Sequence, residues 1–152
     1  MKEAAWPKFY GWENDLPPGT GDVVISLIQR TRPDGAVVVA TPQEVALDDA
    51  RKAVGMFGQF ETPVLGLVEN MGCFICSNCQ AQHDLFGHGG AQALAGALNI
   101  PFLGEIPLDP QARAGGDRGE PAVLQPGSPV GAALQNVAAR IWSQLQGHQC
   151  GA

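Results

Sequence analysis

Short apolar runs separated by helix-patterned segments constrain this chain more than any other feature of its sequence. Residues 36–40 (AVVVA) form a continuous apolar run between Gly35 and Pro42, residues 63–68 form a second, and residues 102–106 a third strand. A strand that is apolar on both sides has to be covered on both sides, as the strands of a parallel sheet are. The intervening segments carry helical spacing. Val24, Ile25, Leu27 and Ile28 place a helix over residues 23–30. Thr41, with Pro42 after it and Glu44 three residues on, predicts a capped helix start that runs to about Phe57. Residues 88–98 read as a small-residue helix ending near Asn99, and residues 108–118 as a short polar helix or turn. Ser128 caps a last amphipathic helix with Val130, Leu134, Val137, Ile141 and Leu145 on or near one face.

Strands alternating with helices predict an α/β fold, a parallel, doubly wound sheet joined by crossovers. Right-handed crossovers put the loops that follow each strand along one edge, where open α/β sheets bind ligands. The segments after Asp15, Ala40, Glu69 and Ile106 are therefore expected to converge. Residues 72–87 lie between two such elements as an irregular, cysteine-bearing loop.

Composition narrows the function classes. The chain has 152 residues and a net charge of -6, with nine basic residues that do not cluster. That makes a poor nucleic-acid binder. No apolar run approaches the ~20 residues that span a bilayer, so no membrane partner is expected. The first residues, MKEAAWPKFYGWEND, have no apolar signal region, which predicts a cytoplasmic protein. Three of the four cysteines, Cys73, Cys76 and Cys79, lie within seven residues. In a reducing compartment such a cluster reads as metal or redox chemistry.

Cys76 and Cys79 form a C-x-x-C pair, whose turn brings both sulfurs to one side of one metal centre. By itself the pair is ambiguous: it could serve a metal cluster, a zinc half-site or a redox couple. With Cys73 and His83 the run becomes C-x2-C-x2-C-x3-H, which could close a zinc site within one subunit, or Cys73 could be a small buried residue. Cys150, near the end of the sequence, is expected to be an idle thiol.

Several longer motifs carry a resemblance. DLPPGTGD (15–22), TPQEVALDDARK (41–52), PVLGLVENM (63–71), CSNC (76–79), HDLFGHGG (83–90) and PFLGEIPLDP (101–110) together resemble Mrp/ApbC-type iron–sulfur cluster carriers, a branch of the MinD/ParA-like P-loop NTPases. The resemblance covers roughly residues 15–145. It implies a three-layer α/β/α P-loop-NTPase-like fold, truncated at the N-terminus. It also implies a homodimer bridged by a [4Fe–4S] cluster on Cys76 and Cys79, handover of that cluster to apo iron–sulfur proteins, and ATP with Mg²⁺ as ligands of the full-length family. Asp15 and Asp22 then match switch carboxylates, and Gly19, Thr20 and Gly21 a loop that approaches phosphate. Asn70 matches a base-reading asparagine, with Pro107 and Asp109 on the same side of the purine. The residues alone also permit simpler roles: caps for the two aspartates and a strand-end turn for Asn70.

The sequence departs from the family pattern in three places. It contains no G-x-x-x-x-G-K-[ST], and its three lysines, Lys2, Lys8 and Lys52, do not follow glycine. Residues 10–14 make a poor strand before Asp15. Cys73 stands where the family has an aromatic. These features lead to three expectations: a weakly ordered segment 1–14, a family-like domain over 15–146 with a flexible tail 147–152, and no useful ATP hydrolysis by this chain alone. The rival readings are a non-catalytic NTPase-derived binding module and a truncated product with a structural zinc loop.

Overall fold

The structure, a computed structural model, describes residues 13–17, 20–76, 79 and 81–149. The expectation of weak order in residues 1–14 falls mainly on residues 1–12, outside the described part.

Helix α1 (Asp22–Thr31) starts at Gly21 and buries Val24 and Ile28. Asp22 in its first turn suits the positive end of the helix dipole. Arg32 closes it in a left-handed conformation, its N–H donating to the Ile28 carbonyl at 2.9 Å. Strand β1 (Ala36–Ala40) follows, and then helix α2 (Glu44–Gln59). The predicted cap at Thr41 is not made. The helix begins two residues later, with Gln43 at the cap position and no side-chain cap bond, and Thr41 Oγ1 bonds Gln43 Oε1 instead.

Strand β2 (Val64–Ile75) is twice as long as the apolar run that announced it. Much of the segment expected to be irregular is strand. Past the end of β1, the far end of β2 pairs antiparallel with a two-residue strand, β3 (Gln82–His83), through Phe74 with His83 and Ile75 with Gln82. Helix α3 (Gly90–Leu98) ends at Asn99 in the left-handed region, as expected. Strand β4 (Phe102–Leu108) and helix α4 (Pro110–Asp117) come next. Ser128 Oγ accepts from Gly131 N at 3.1 Å and so caps α5 (Pro129–Gln149). This helix continues three residues into the segment read as a tail.

β2 is the central strand, parallel to β1 on one side and to β4 on the other. The sheet is thus the expected parallel one, made mixed by β3. Its two faces carry separate cores, because alternate residues of a strand point to opposite faces. On one face Ala36, Val38, Ala40 and Leu67 pack with Val24 and Ile28 of α1, Leu47, Ala50 and Phe57 of α2, and Ala91, Leu94 and Ala95 of α3. On the other, Val68 and Leu103 pack with Val137 of α5. Helices on both faces of one sheet make a three-layer α/β/α fold. Leu67 and Leu103 are 0% and 1% exposed, and burial of such a side chain stabilises by about 1.5–3 kcal/mol. On this face Val37 of β1 packs against the second core, while Val39 is 57% exposed.

Candidate functional site

The parallel register sets Ala40 beside Glu69, Glu69 beside Glu105, and Asn70 beside Ile106. The ends of three parallel strands therefore meet along one edge, as their alternation with helices predicts.

The cysteine loop is the turn of a hairpin. The β2–β3 pairing is extended by a bond from Cys76 N to Ala81 O at 2.9 Å. Cys76 and Cys79 thus sit at the tip of a ribbon that outruns β1. Cys76 is half-buried and Cys79 exposed, and both are thiols not joined in a disulfide. Ser77 and Asn78 lie outside the described residues. At the base of the ribbon the rings of Phe74 and His83 lie 6.4 Å apart, which gives His83 a packing role across the strands.

Cys73 is separated from this tip. It is 9% exposed on β2, and burial, with the Glu105 carboxylate beside it, pushes its thiol up to about 11. Among the described residues, Cys73, Cys76, Cys79 and His83 do not gather into a metal-holding group. The burial of Cys73 agrees with its reading as a small buried residue.

Met71 has a φ of 60°, unusual for a side chain of its size, and the β2–β4 register shifts between Asn70 and Phe74. This bulge turns the ribbon. It also needs Gly72, where a Cβ would come within 2.5 Å of Glu105 Oε1.

The remaining predicted residues fall as follows. Asp15 and Thr20 are exposed ahead of α1, Gly21 is its cap residue and Asp22 its first residue. Gly19 lies outside the described residues. Asn70 is half-buried on β2 next to β4, which carries Pro107. Asp109 caps α4, its Oδ1 accepting from Gln111 N at 2.8 Å. Register thus brings Asn70 close to the strand that holds Pro107. Lys52 pairs with Asp49 at 2.8 Å on the exposed side of α2, a surface ion pair.

Glu69 is a residue that no motif or spacing singled out. It is 1% exposed and its carboxylate accepts from Gly89 N at 2.9 Å and Ala91 N at 2.7 Å. It thereby caps α3, whose own cap residue, Gly89, has no side chain to do so. The available signal was a carboxylate closing an apolar strand, but nothing in the sequence says which helix start it meets.

A parallel sheet with helices on both faces and a cysteine hairpin at its ligand edge defines the class, a P-loop-NTPase-like α/β/α protein that carries paired thiols. A family model, ParA, described as NUBPL iron-transfer P-loop NTPase, matches residues 1–142. The chain belongs to this family, the ParA/MinD-like P-loop NTPases of the Mrp/ApbC iron–sulfur carrier type. It is 46% identical over 133 residues to the iron–sulfur protein required for NADH dehydrogenase, mitochondrial, of Arabidopsis thaliana, covering 87% of this chain and 42% of that protein. It is 44% identical over 146 residues to the iron–sulfur cluster carrier protein of Escherichia coli (strain K12), covering 95% and 40%. Among solved structures, a nucleotide-binding protein from Archaeoglobus fulgidus in complex with ADP, with Co found, superposes with a TM-score of 0.62 at 45% identity, covering 69% of this chain and 43% of that one. The septum site-determining protein MinD of Pyrococcus horikoshii, complexed with Mg-ADP, superposes with a TM-score of 0.66 at 23% identity, covering 84% and 48%, and shows the shared fold alone. The chain spans about two fifths of the length of the curated relatives it matches.

Proposed function

We propose that this chain is the cysteine-bearing portion of an iron–sulfur cluster carrier, working as a homodimer that delivers a [4Fe–4S] cluster to apo iron–sulfur proteins. The observation that carries this is the pair Cys76 and Cys79 at the tip of one hairpin, with Cys79 exposed. Two thiolates supply half the ligands of a four-iron cluster, so a second copy has to supply the rest. An exposed Cys79 also lets an incoming thiol of the recipient displace the carrier's ligands one at a time, starting from that side. The names of relatives from Escherichia coli and Arabidopsis support the same role. The compartment proposed is the cytoplasm. The mitochondrial Arabidopsis relative marks the alternative, and among the described residues no helix is long and apolar enough to cross a membrane.

The nucleotide side of the proposal is narrower. Asp15, Asp22, Gly19, Thr20 and Gly21 are assigned to a switch loop, and Asn70, Pro107 and Asp109 to the base side. The residues present do not make a phosphate cradle: the sequence has no G-x-x-x-x-G-K-[ST], and Lys52 is engaged on α2. The part of the family domain that carries the P-loop is proposed to lie outside this sequence. Two observations support that: the two-fifths coverage of relatives, and Val39 left exposed on β1. ATP and Mg²⁺ are therefore assigned to the complete domain.

Anaerobic reconstitution tests the proposal. It should yield about four irons and four sulfides per two chains, lost in Cys76→Ser and in Cys79→Ser but kept in Cys73→Ser. Uptake of one zinc per chain that depends on Cys73, with no iron–sulfur chromophore, would overturn it.

A further inference from the structure

Apart from the cysteine hairpin, a second set of metal-ligating groups meets at the carboxyl ends of the strands. Glu69 of β2 and Glu105 of β4 are register partners, and His88 lies beside them, two residues before α3. One ligand atom from each of Glu69, His88 and Glu105 lies within 4.8 Å of the other two.

Two features of this cluster are unexplained by the fold. First, Glu105 Oε1 is closed off from solvent and has no hydrogen-bond partner. The nearest basic atom, His88 Nδ1, stands at 3.6 Å, beyond hydrogen-bond length. An enclosed carboxylate oxygen without a donor is costly and rare. Second, among the described residues no lysine or arginine pairs with Glu69 or Glu105. Two carboxylates thus stand side by side with one half-exposed imidazole.

We propose that Glu69, His88 and Glu105 bind a single divalent first-row transition ion, at a site separate from the Cys76–Cys79 pair. One imidazole nitrogen and two carboxylate oxygens are the donor set that Zn²⁺, Fe²⁺, Mn²⁺ and Co²⁺ accept, with water completing the coordination. The ion supplies what the cluster lacks, a partner for Glu105 Oε1 and a positive charge between two carboxylates. Glu69 is the fixed ligand. Its two amide bonds from Gly89 and Ala91 hold its carboxylate in place and leave a lone pair on each oxygen. Glu105 and His88, with side chains 27% and 49% exposed, have the freedom to close the last fraction of an ångström onto an ion, and His88 opens the path from solvent. The Cys73 thiol bonds the Glu105 carboxylate, which still leaves Oε1 without a partner. Gly72 keeps the space beside Oε1 clear.

The test uses the Cys76→Ser/Cys79→Ser chain, which cannot hold the proposed cluster, so that its outcome is independent of the cluster proposal. Titration with Co²⁺ should saturate at one ion per chain, give visible d–d bands without a thiolate charge-transfer band, and be reversed by Zn²⁺. Adding Glu105→Gln or His88→Ala should each weaken binding by about tenfold or more, while adding His83→Ala should not. Both test positions are partly exposed, and circular dichroism checks that the fold is kept. No saturable uptake, uptake that survives both changes, or a thiolate charge-transfer band that places the ion on Cys73 or Cys150 would each overturn the proposal.

Discussion

Glu69 and Cys73 lie four residues apart on one strand, both buried, with different polar partners. Glu69 meets two backbone amides that replace its water. Cys73 meets a carboxylate that disfavours its anion. For Cys73 the pH dependence follows directly. Its pKa is raised from 9.0 to about 11 on folding, by burial first and Glu105 second. Above pH 9 the unfolded chain loses this proton before the folded one does, so the folded state binds more protons. In metal-free protein, stability should fall between pH 9 and about 11, and Cys73→Ala should remove that part of the slope; urea melts at stepped pH measure it. Cys73 should also resist alkylation at pH 8 while Cys79 reacts, as mass spectrometry can show. For Glu69, the isosteric Glu69→Gln keeps the shape but weakens the two charge-assisted bonds. A loss of about 1–3 kcal/mol in urea unfolding is expected. Cys73 was legible in the sequence only as a choice between a zinc ligand and a buried residue. Its neighbour Glu105 comes from 32 positions further on, and only folding brings the two together.

At the scale of elements, period and caps were readable where the chain acts locally. The α5 prediction from Ser128 and the apolar spacing after it is met, because a cap bond spans three residues. Ser128→Ala should cost about 0.5–2 kcal/mol of stability, read as a lowered denaturant midpoint. Thr41 had the same sequence credentials, yet α2 starts at Glu44 and the hydroxyl turns to Gln43. The tertiary reason is Pro42, which is buried under α3: a Cβ on Gly90 would meet its carbonyl oxygen at 2.9 Å. The length of β2 was legible only in part. Its apolar half is recognisable, but residues 69–75 (ENMGCFI) carry no strand pattern of their own. Their pairing with β3 and β4, across a bulge at Met71, makes them strand.

At the scale of the whole molecule, the chain is a three-layer fold whose second core reaches Val37 of β1 but leaves Val39 exposed. The cysteine pair hangs from a hairpin at the sheet's ligand edge. Phosphoryl transfer depends on a backbone cradle, its lysine and a Mg²⁺ held partly by its Ser/Thr. Purified chain with Mg-ATP should therefore release no phosphate above background and show weak or absent binding in calorimetry. Micromolar binding with turnover lost in Asp15→Ala would contradict this. The sequence by itself determined the parallel α/β architecture, the edge where the strand ends meet, and the identity of the thiol pair. Each of these depends on period or spacing within a stretch of chain. Only the tertiary structure decided that Cys73 is buried against Glu105, that Glu69 caps α3, and that Glu69, His88 and Glu105 share one corner. Those relations depend on strand register and on a bulge, which fix distances between residues far apart in sequence, and one sequence carries no periodic trace of them.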